Sequence, residues 1–102
     1  MSTDIAVTPK IKVRENVKEP SKFRVIFIND ETTTQEFVIE TLKAVFDYDE
    51  TAAEILTDKI HVEGLAIVAV LPHEMAEQKG VEVTILARNN GFPLQVKIEP
   101  DR

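Results

Sequence analysis

Cysteine is absent from the 102 residues, and so is tryptophan. Without thiols there is no disulfide framework, no thiolate nucleophile and no zinc knuckle. Such a chain suits a reducing compartment. Aromatic residues make up 6% and hydrophobic residues 43%, so the expected core is small and aliphatic. Basic residues are outnumbered, and the net charge is −6. A nucleic-acid binder needs a basic face to displace counterions from phosphate, so this balance argues against one. It also argues against docking on an anionic membrane. No apolar run reaches the roughly 20 residues that span a bilayer. The first residues hold acidic Asp4 and no apolar stretch, so neither a secretory signal nor a transit peptide is expected. The expectation is a cytoplasmic protein. His61 and His73 are the two histidines, and they lack ligand spacing. No metal or other cofactor is expected. There is no nucleophile elbow and no phosphate-binding glycine loop. A dyad of Asp30 and His61 has no nucleophile to activate, so an enzyme is not expected.

What is present is enough for one domain. Residues 1–21 read as a flexible N-terminal tail, punctuated by Pro9 and Pro20 and without helical periodicity. Their charge is near neutral, which leaves the acidic excess on residues 22–102, the core domain. Phe23 to Ile28 is a near-continuous apolar run, expected as a strand that is central or buried on both faces. A helix follows from about Thr34 to Tyr48, with Val38, Leu42, Val45 and Phe46 on its buried face. Thr33 is its expected N-cap, with Glu36 completing a capping box. Asp49 caps a second helix over about Glu50 to Glu63, with Ala52, Ala53, Leu56 and Ile60 inward and Gly64 ending it. Leu65 to Leu71 is uniformly aliphatic and is expected as another central strand. Pro72 stops it and opens a third helix, His73 to Asn89, ended by Asn90-Gly91. Gly80 within that helix costs about 1 kcal/mol against Ala, which points to a close packing contact. Leu94, Val96 and Ile98 then alternate with Gln95, Lys97 and Glu99 as a half-exposed strand. The order β-α-α-β-α-β predicts an α+β fold, a three-stranded antiparallel sheet packed on three helices.

The chemistry concentrates where the first strand ends. Asn29-Asp30-Glu31-Thr32-Thr33-Thr34 is an unbroken polar run between an apolar strand and an apolar helix face. Acceptor oxygens at the rim of an apolar surface suit a cationic amine with a hydrophobic body. The same acidic cluster also serves ordinary helix capping, since negative charge favours a helix N-terminus. His61, in the last turn of the second helix, is either a plain surface residue or the third partner of Asn29 and Asp30. In the second case an imidazole nitrogen, an amide oxygen and a carboxylate would converge on a free α-amino group. Acetylation of that amine would remove its charge and donors.

These residues match a pattern. Val25-Ile26-Phe27-Ile28-Asn29-Asp30-Glu31 with Thr33, and then Glu36-Phe37-Val38-Ile39, resembles the ClpS adaptor family. So do Ile60-His61 before Glu63-Gly64, the segment Glu74 to Lys79, Ala87-Arg88, Pro93-Leu94 and Ile98-Glu99. The resemblance runs from about Lys22 to Glu99 without insertions. It implies a non-enzymatic adaptor for a AAA+ unfoldase of the ClpA or ClpC type working with the ClpP protease. Substrates would be proteins bearing a destabilising N-terminal Leu, Phe, Tyr or Trp. By position, Asn29, Asp30 and His61 would bind the α-amino group. Thr33, Val38, Ile60 and Leu94 would help line the side-chain pocket. Glu74, Glu77 and Lys79 would face the unfoldase N-domain, and the tail would engage the unfoldase during hand-off. A monomer is expected.

The chain departs from the family at three places. Methionine is common in the family where this chain has Gln35 and again where it has Thr57, and both positions belong to the pocket wall. Their polar groups imply a pocket of altered shape and selectivity. Pro72 stands where a hydroxyl cap is usual. Two other readings follow from the residues. One is a regulator or decoy that keeps the unfoldase surface without effective substrate recognition. The other is a ribosome-associated interaction domain with no amine pocket.

Overall fold

The computed structural model describes residues 21–102. The expected tail therefore lies, apart from Ser21, outside the described residues. Six elements follow in the expected order: strand β1 (Lys22–Ile28), helix α1 (Gln35–Phe46), helix α2 (Glu50–Glu63), strand β2 (Leu65–Pro72), helix α3 (His73–Asn89) and strand β3 (Gln95–Pro100). The strands form one antiparallel sheet in the order β2-β1-β3.

β1 is the central strand, as its apolar run predicts. Val25 and Phe27 are fully buried and Ile26 nearly so. Val25 and Phe27 join a core with Leu42 of α1, Ala53 and Ile60 of α2, Ala66 and Val68 of β2, and Ala76, Val83 and Ala87 of α3.

β2 corrects the sequence reading, because it is an edge strand and not a central one. A β-bulge explains why its sequence misleads. Ile26 pairs with Ile67 and Val25 with Ala69, so Val68 has no partner opposite β1. The bulge shifts the inward phase by one residue. Ala66 and Val68 belong to the core before it, and Ala69 and Leu71 pack on the core after it. The outward positions are apolar as well: Leu65, Ile67 and Val70 are 50%, 44% and 42% exposed. Continuous aliphatic content here reflects a change of phase plus an apolar open face. The Val68 carbonyl accepts a hydrogen bond from the Tyr48 hydroxyl at 2.6 Å.

The helix ends follow local chemistry, with one correction. Thr34, not Thr33, caps α1, and its hydroxyl accepts from the Phe37 N–H at 3.1 Å. Thr33 is engaged elsewhere, as described below. α1 ends at Phe46, two residues earlier than expected, where Asp47 adopts a left-handed conformation. Thr41 joins the buried face of α1, while Phe46 is only half-buried. Asp49 caps α2 through the Ala52 N–H at 2.8 Å, and left-handed Gly64 (φ 92°) closes it. The inward stripe of α2 is Ala53, Thr57 and Ile60; Ala52 and Leu56 are half-buried. Gly80 lies against β3, where a Cβ would sit 3.3 Å from Ile98 Cδ1. That is the close contact its presence in a helix predicts.

Candidate functional site

The polar run after β1 folds around one carboxylate. Asp30 Oδ1 accepts from the backbone N–H groups of Thr32 (2.8 Å) and Thr33 (2.7 Å). Asp30 Oδ2 accepts from the Thr33 hydroxyl at 2.7 Å. Thr33 is turned toward Asp30 by its hydroxyl and backbone N–H, and the hydroxyl that accepts from the first turn of α1 is that of Thr34. Burial pushes the Asp30 carboxyl up, but the Thr33 and Thr32 hydrogen bonds and the charge of Arg88 outweigh it. Its pKa is held below the ordinary 3.8. Asp30 is therefore an ionised carboxylate, half-buried and fixed by its own loop.

The neighbouring backbone brings α2 to the same place. The Asn29 N–H donates to the Gly64 carbonyl at 2.9 Å. This bond ties the end of β1 to the C-terminal residue of α2, whose last turn carries His61. Asn29, Asp30 and His61 thus stand at one end of the molecule. Asn29 and His61 are exposed, and the three side chains make no hydrogen bonds to one another among the described residues.

The residues assigned by resemblance to the side-chain pocket divide into two groups. Val38 (α1), Thr57 and Ile60 (α2) and Leu94 (before β3) are buried. Thr33 is half-buried and Gln35, the first residue of α1, is exposed. Thr57 is 3% exposed, and its hydroxyl oxygen has no hydrogen-bond partner among the described residues; the Thr41 hydroxyl on α1 is in the same condition.

The third set lies on α3. Glu74 and Glu77 are exposed and share a flank with Gln78 and Val81. Glu77 Oε2 lies 3.1 Å from His73 Nε2. Lys79 is half-buried on the other flank, beside Met75, Leu71 and Tyr48. The expected unfoldase residues therefore occupy two sides of the N-terminal half of α3.

One residue escaped the sequence reading. Arg88 was noted in Ala87-Arg88 without a role. Its Nη1 donates to the carbonyls of Phe92 (3.0 Å) and Leu94 (2.9 Å). A cation in the last turn of a helix is ordinarily explained by the helix dipole, so nothing in the sequence signals this double contact.

Fold and site define a small α+β binding domain with fixed polar groups beside buried apolar side chains. Residues 18–97 match the family described as "ATP-dependent Clp protease adaptor protein ClpS". The chain belongs to that family: it is a Clp protease adaptor and not an enzyme. An adapter protein ClpS from Erwinia tasmaniensis is 43% identical over 88 residues, covering 86% of this chain and 83% of that one. ClpS 2 of Mesorhizobium japonicum is 34% identical over 98 residues, covering 96% and 97%. Among solved structures, Agrobacterium tumefaciens ClpS2 bound to L-phenylalaninamide superposes with a TM-score of 0.79 at 37% identity. That match covers 81% of this chain and all of the other. No helix among the described residues is long and apolar enough to cross a membrane.

Proposed function

We propose that this adaptor captures substrates by a free N-terminal residue with a large hydrophobic side chain and delivers them to a Clp unfoldase. The observation that carries the reading is the Asn29–Gly64 tie. It sets the ionised, loop-fixed Asp30 and the exposed His61 at one end of the fold, next to elements that bury Val38, Ile60 and Leu94. Asp30 supplies negative charge for an ammonium group. Asn29 supplies an amide oxygen, and His61 supplies a ring nitrogen. L-phenylalaninamide, the ligand of the Agrobacterium relative, carries both a free α-amino group and a phenyl side chain.

The energetics fit this chemistry. Burying an aromatic side chain of about 150–250 Å² contributes roughly 4–6 kcal/mol before ordering costs. The amine contacts add orientation and further affinity, so micromolar binding is expected. Thr33, Val38, Ile60 and Leu94 line the pocket in this reading, and Gln35 and Thr57 alter its selectivity. The partner is a ClpA- or ClpC-type N-domain facing Glu74, Glu77 and Lys79. The adaptor works as a cytoplasmic monomer, and the residues before Lys22 take part in hand-off.

The test is a titration of peptides beginning with free Leu, Phe, Tyr, Trp, Ile and Val, each beside its N-acetylated twin. Tight binding of some free forms, lost on acetylation, is expected. A protein that binds none of them but is still retained by the unfoldase N-domain is instead the regulator suggested by Gln35 and Thr57.

A further inference from the structure

Arg88 joins the end of α3 to the turn that leads into β3. It lies in the last turn of α3, one residue after fully buried Ala87. Its Nη1 carries two hydrogens and donates them to two carbonyls of one turn, Phe92 and Leu94. The Leu94 side chain is 1% exposed. The rest of that turn is held from the same helix end. Asn90 N–H and Phe92 N–H both reach the Ala87 carbonyl, Asn90 Nδ2 reaches the Leu86 carbonyl, and Gly91 takes the positive φ of 79° that reverses the chain. The Phe92 ring packs on Phe37, with centroids 5.0 Å apart. Phe37 is the residue whose N–H donates to the Thr34 hydroxyl that caps α1. The guanidinium charge also helps keep Asp30 ionised.

We infer that Arg88 is a positioning residue for ligand selectivity: its guanidinium fixes the Phe92–Leu94 turn and so sets where Leu94 meets the N-terminal side chain of the substrate. This rests on the N-terminal recognition reading above. The geometry explains why arginine is needed. The planar guanidinium fixes the directions of both Nη1 hydrogens, whereas a lysine ammonium rotates on a flexible stem and holds the two carbonyls less rigidly. Leu94 precedes β3, which starts at Gln95, so its side chain is held by core packing and its carbonyl by the Arg88 guanidinium. The Arg88 contact is a polar restraint on the backbone of that wall. Hydrogen bonds from a charged donor contribute enough that losing one of them shifts an equilibrium by about tenfold.

The test uses the full chain with Arg88→Lys and Arg88→Gln, and with Arg24→Gln as a stability control. Arg24 clamps the opposite end of the sheet through Asp101 at 2.8 Å, far from the site. Affinities are measured for peptides beginning with Phe, Leu and Tyr, for acetylated Phe, and alongside thermal melts. Both Arg88 variants are expected to weaken the preferred free peptide by about tenfold and to flatten the ratios among Phe, Leu and Tyr. The free-to-acetylated ratio should survive in Arg88→Lys, which keeps the charge. Arg24→Gln should lower the melting temperature and leave all ratios unchanged. Folded Arg88 variants with wild-type side-chain ratios would overturn the inference, as would a loss of affinity that merely tracks melting temperature as in Arg24→Gln. If the wild-type protein binds no free peptide, the recognition reading itself fails and the inference falls with it.

Discussion

Asp30 and Thr57 belong to the same proposed site and are treated in opposite ways. Asp30 is a charged group at the surface, and its own loop supplies three donors to it. Thr57 is a neutral hydroxyl in the interior, and nothing among the described residues pairs with it. The first arrangement turns a short polar run into a rigid acceptor. The second leaves a polar atom among Ala53 and Ile60 on the inward stripe of α2. The amine end of the site is thus organised by satisfied hydrogen bonds, and the apolar end carries an uncompensated polar group. Loss of the carboxylate should therefore be costly, and loss of the hydroxyl should not.

The largest effect is expected from Asp30→Ala, which removes three hydrogen bonds to a charged acceptor. Chemical denaturation should show a loss of about 2 kcal/mol, and binding of a free Phe-starting peptide should fall to the level of its acetylated twin. Unchanged affinity would mean that Asp30 only shapes the loop. The charge gives a second handle. Because the folded pKa of Asp30 lies below the ordinary 3.8, its contribution is present above the unfolded pKa. That contribution is lost as pH falls through the folded pKa. Denaturation curves below about pH 4 should therefore be flatter in Asp30→Asn than in the wild type.

Thr34→Ala comes next. It removes the cap of α1 and should cost about 1 kcal/mol, whereas Thr33→Val should act through Asp30 and reduce peptide binding as well. Thr57→Val tests the other half of the comparison. It keeps the shape, removes the unpaired hydroxyl and should raise stability by up to about 1 kcal/mol. A destabilised Thr57→Val would mean that the hydroxyl is paired in solution. The smallest stability change, under about 0.5 kcal/mol, is expected for Gln35→Met on the exposed first turn of α1. Its effect should appear in the ranking of Phe, Leu and Tyr peptides.

The fold was legible in the sequence wherever one element carried one periodicity. The caps at Asp49 and Gly64, the breaks at Pro72 and Gly91, and the central position of β1 all follow from local chemistry. β2 was misread because a bulge changes its phase at Val68, and no sequence pattern separates that from burial on both faces. Thr33 was misread because two adjacent threonines compete for one cap. Only the Asp30 carboxylate, which recruits the first, decides between them. Thr57 is missing from the expected inward stripe of α2 because a hydroxyl is not expected there. The residues proposed for the amine were legible as chemistry, and their convergence stood only as one of two readings. Their nearness depends on the Asn29–Gly64 hydrogen bond between residues 35 positions apart. Arg88 was visible only as a helix-end cation.

The entrance to β1 has a mechanical consequence. Lys22 and Phe23 lie between Pro72 of β2 and Pro100 of β3, and the Lys22 carbonyl accepts from the Asp101 N–H at 3.0 Å. Arg24 then grips Asp101 by its side chain and Arg102 by its carbonyl. A pull on the residues before Lys22 would load the middle strand of the sheet and would have to peel it from both neighbours at once. This C-terminal clamp is the first thing such a force would meet. Asp101 and Arg102 thus act as a lock on the middle strand against tension applied ahead of Lys22.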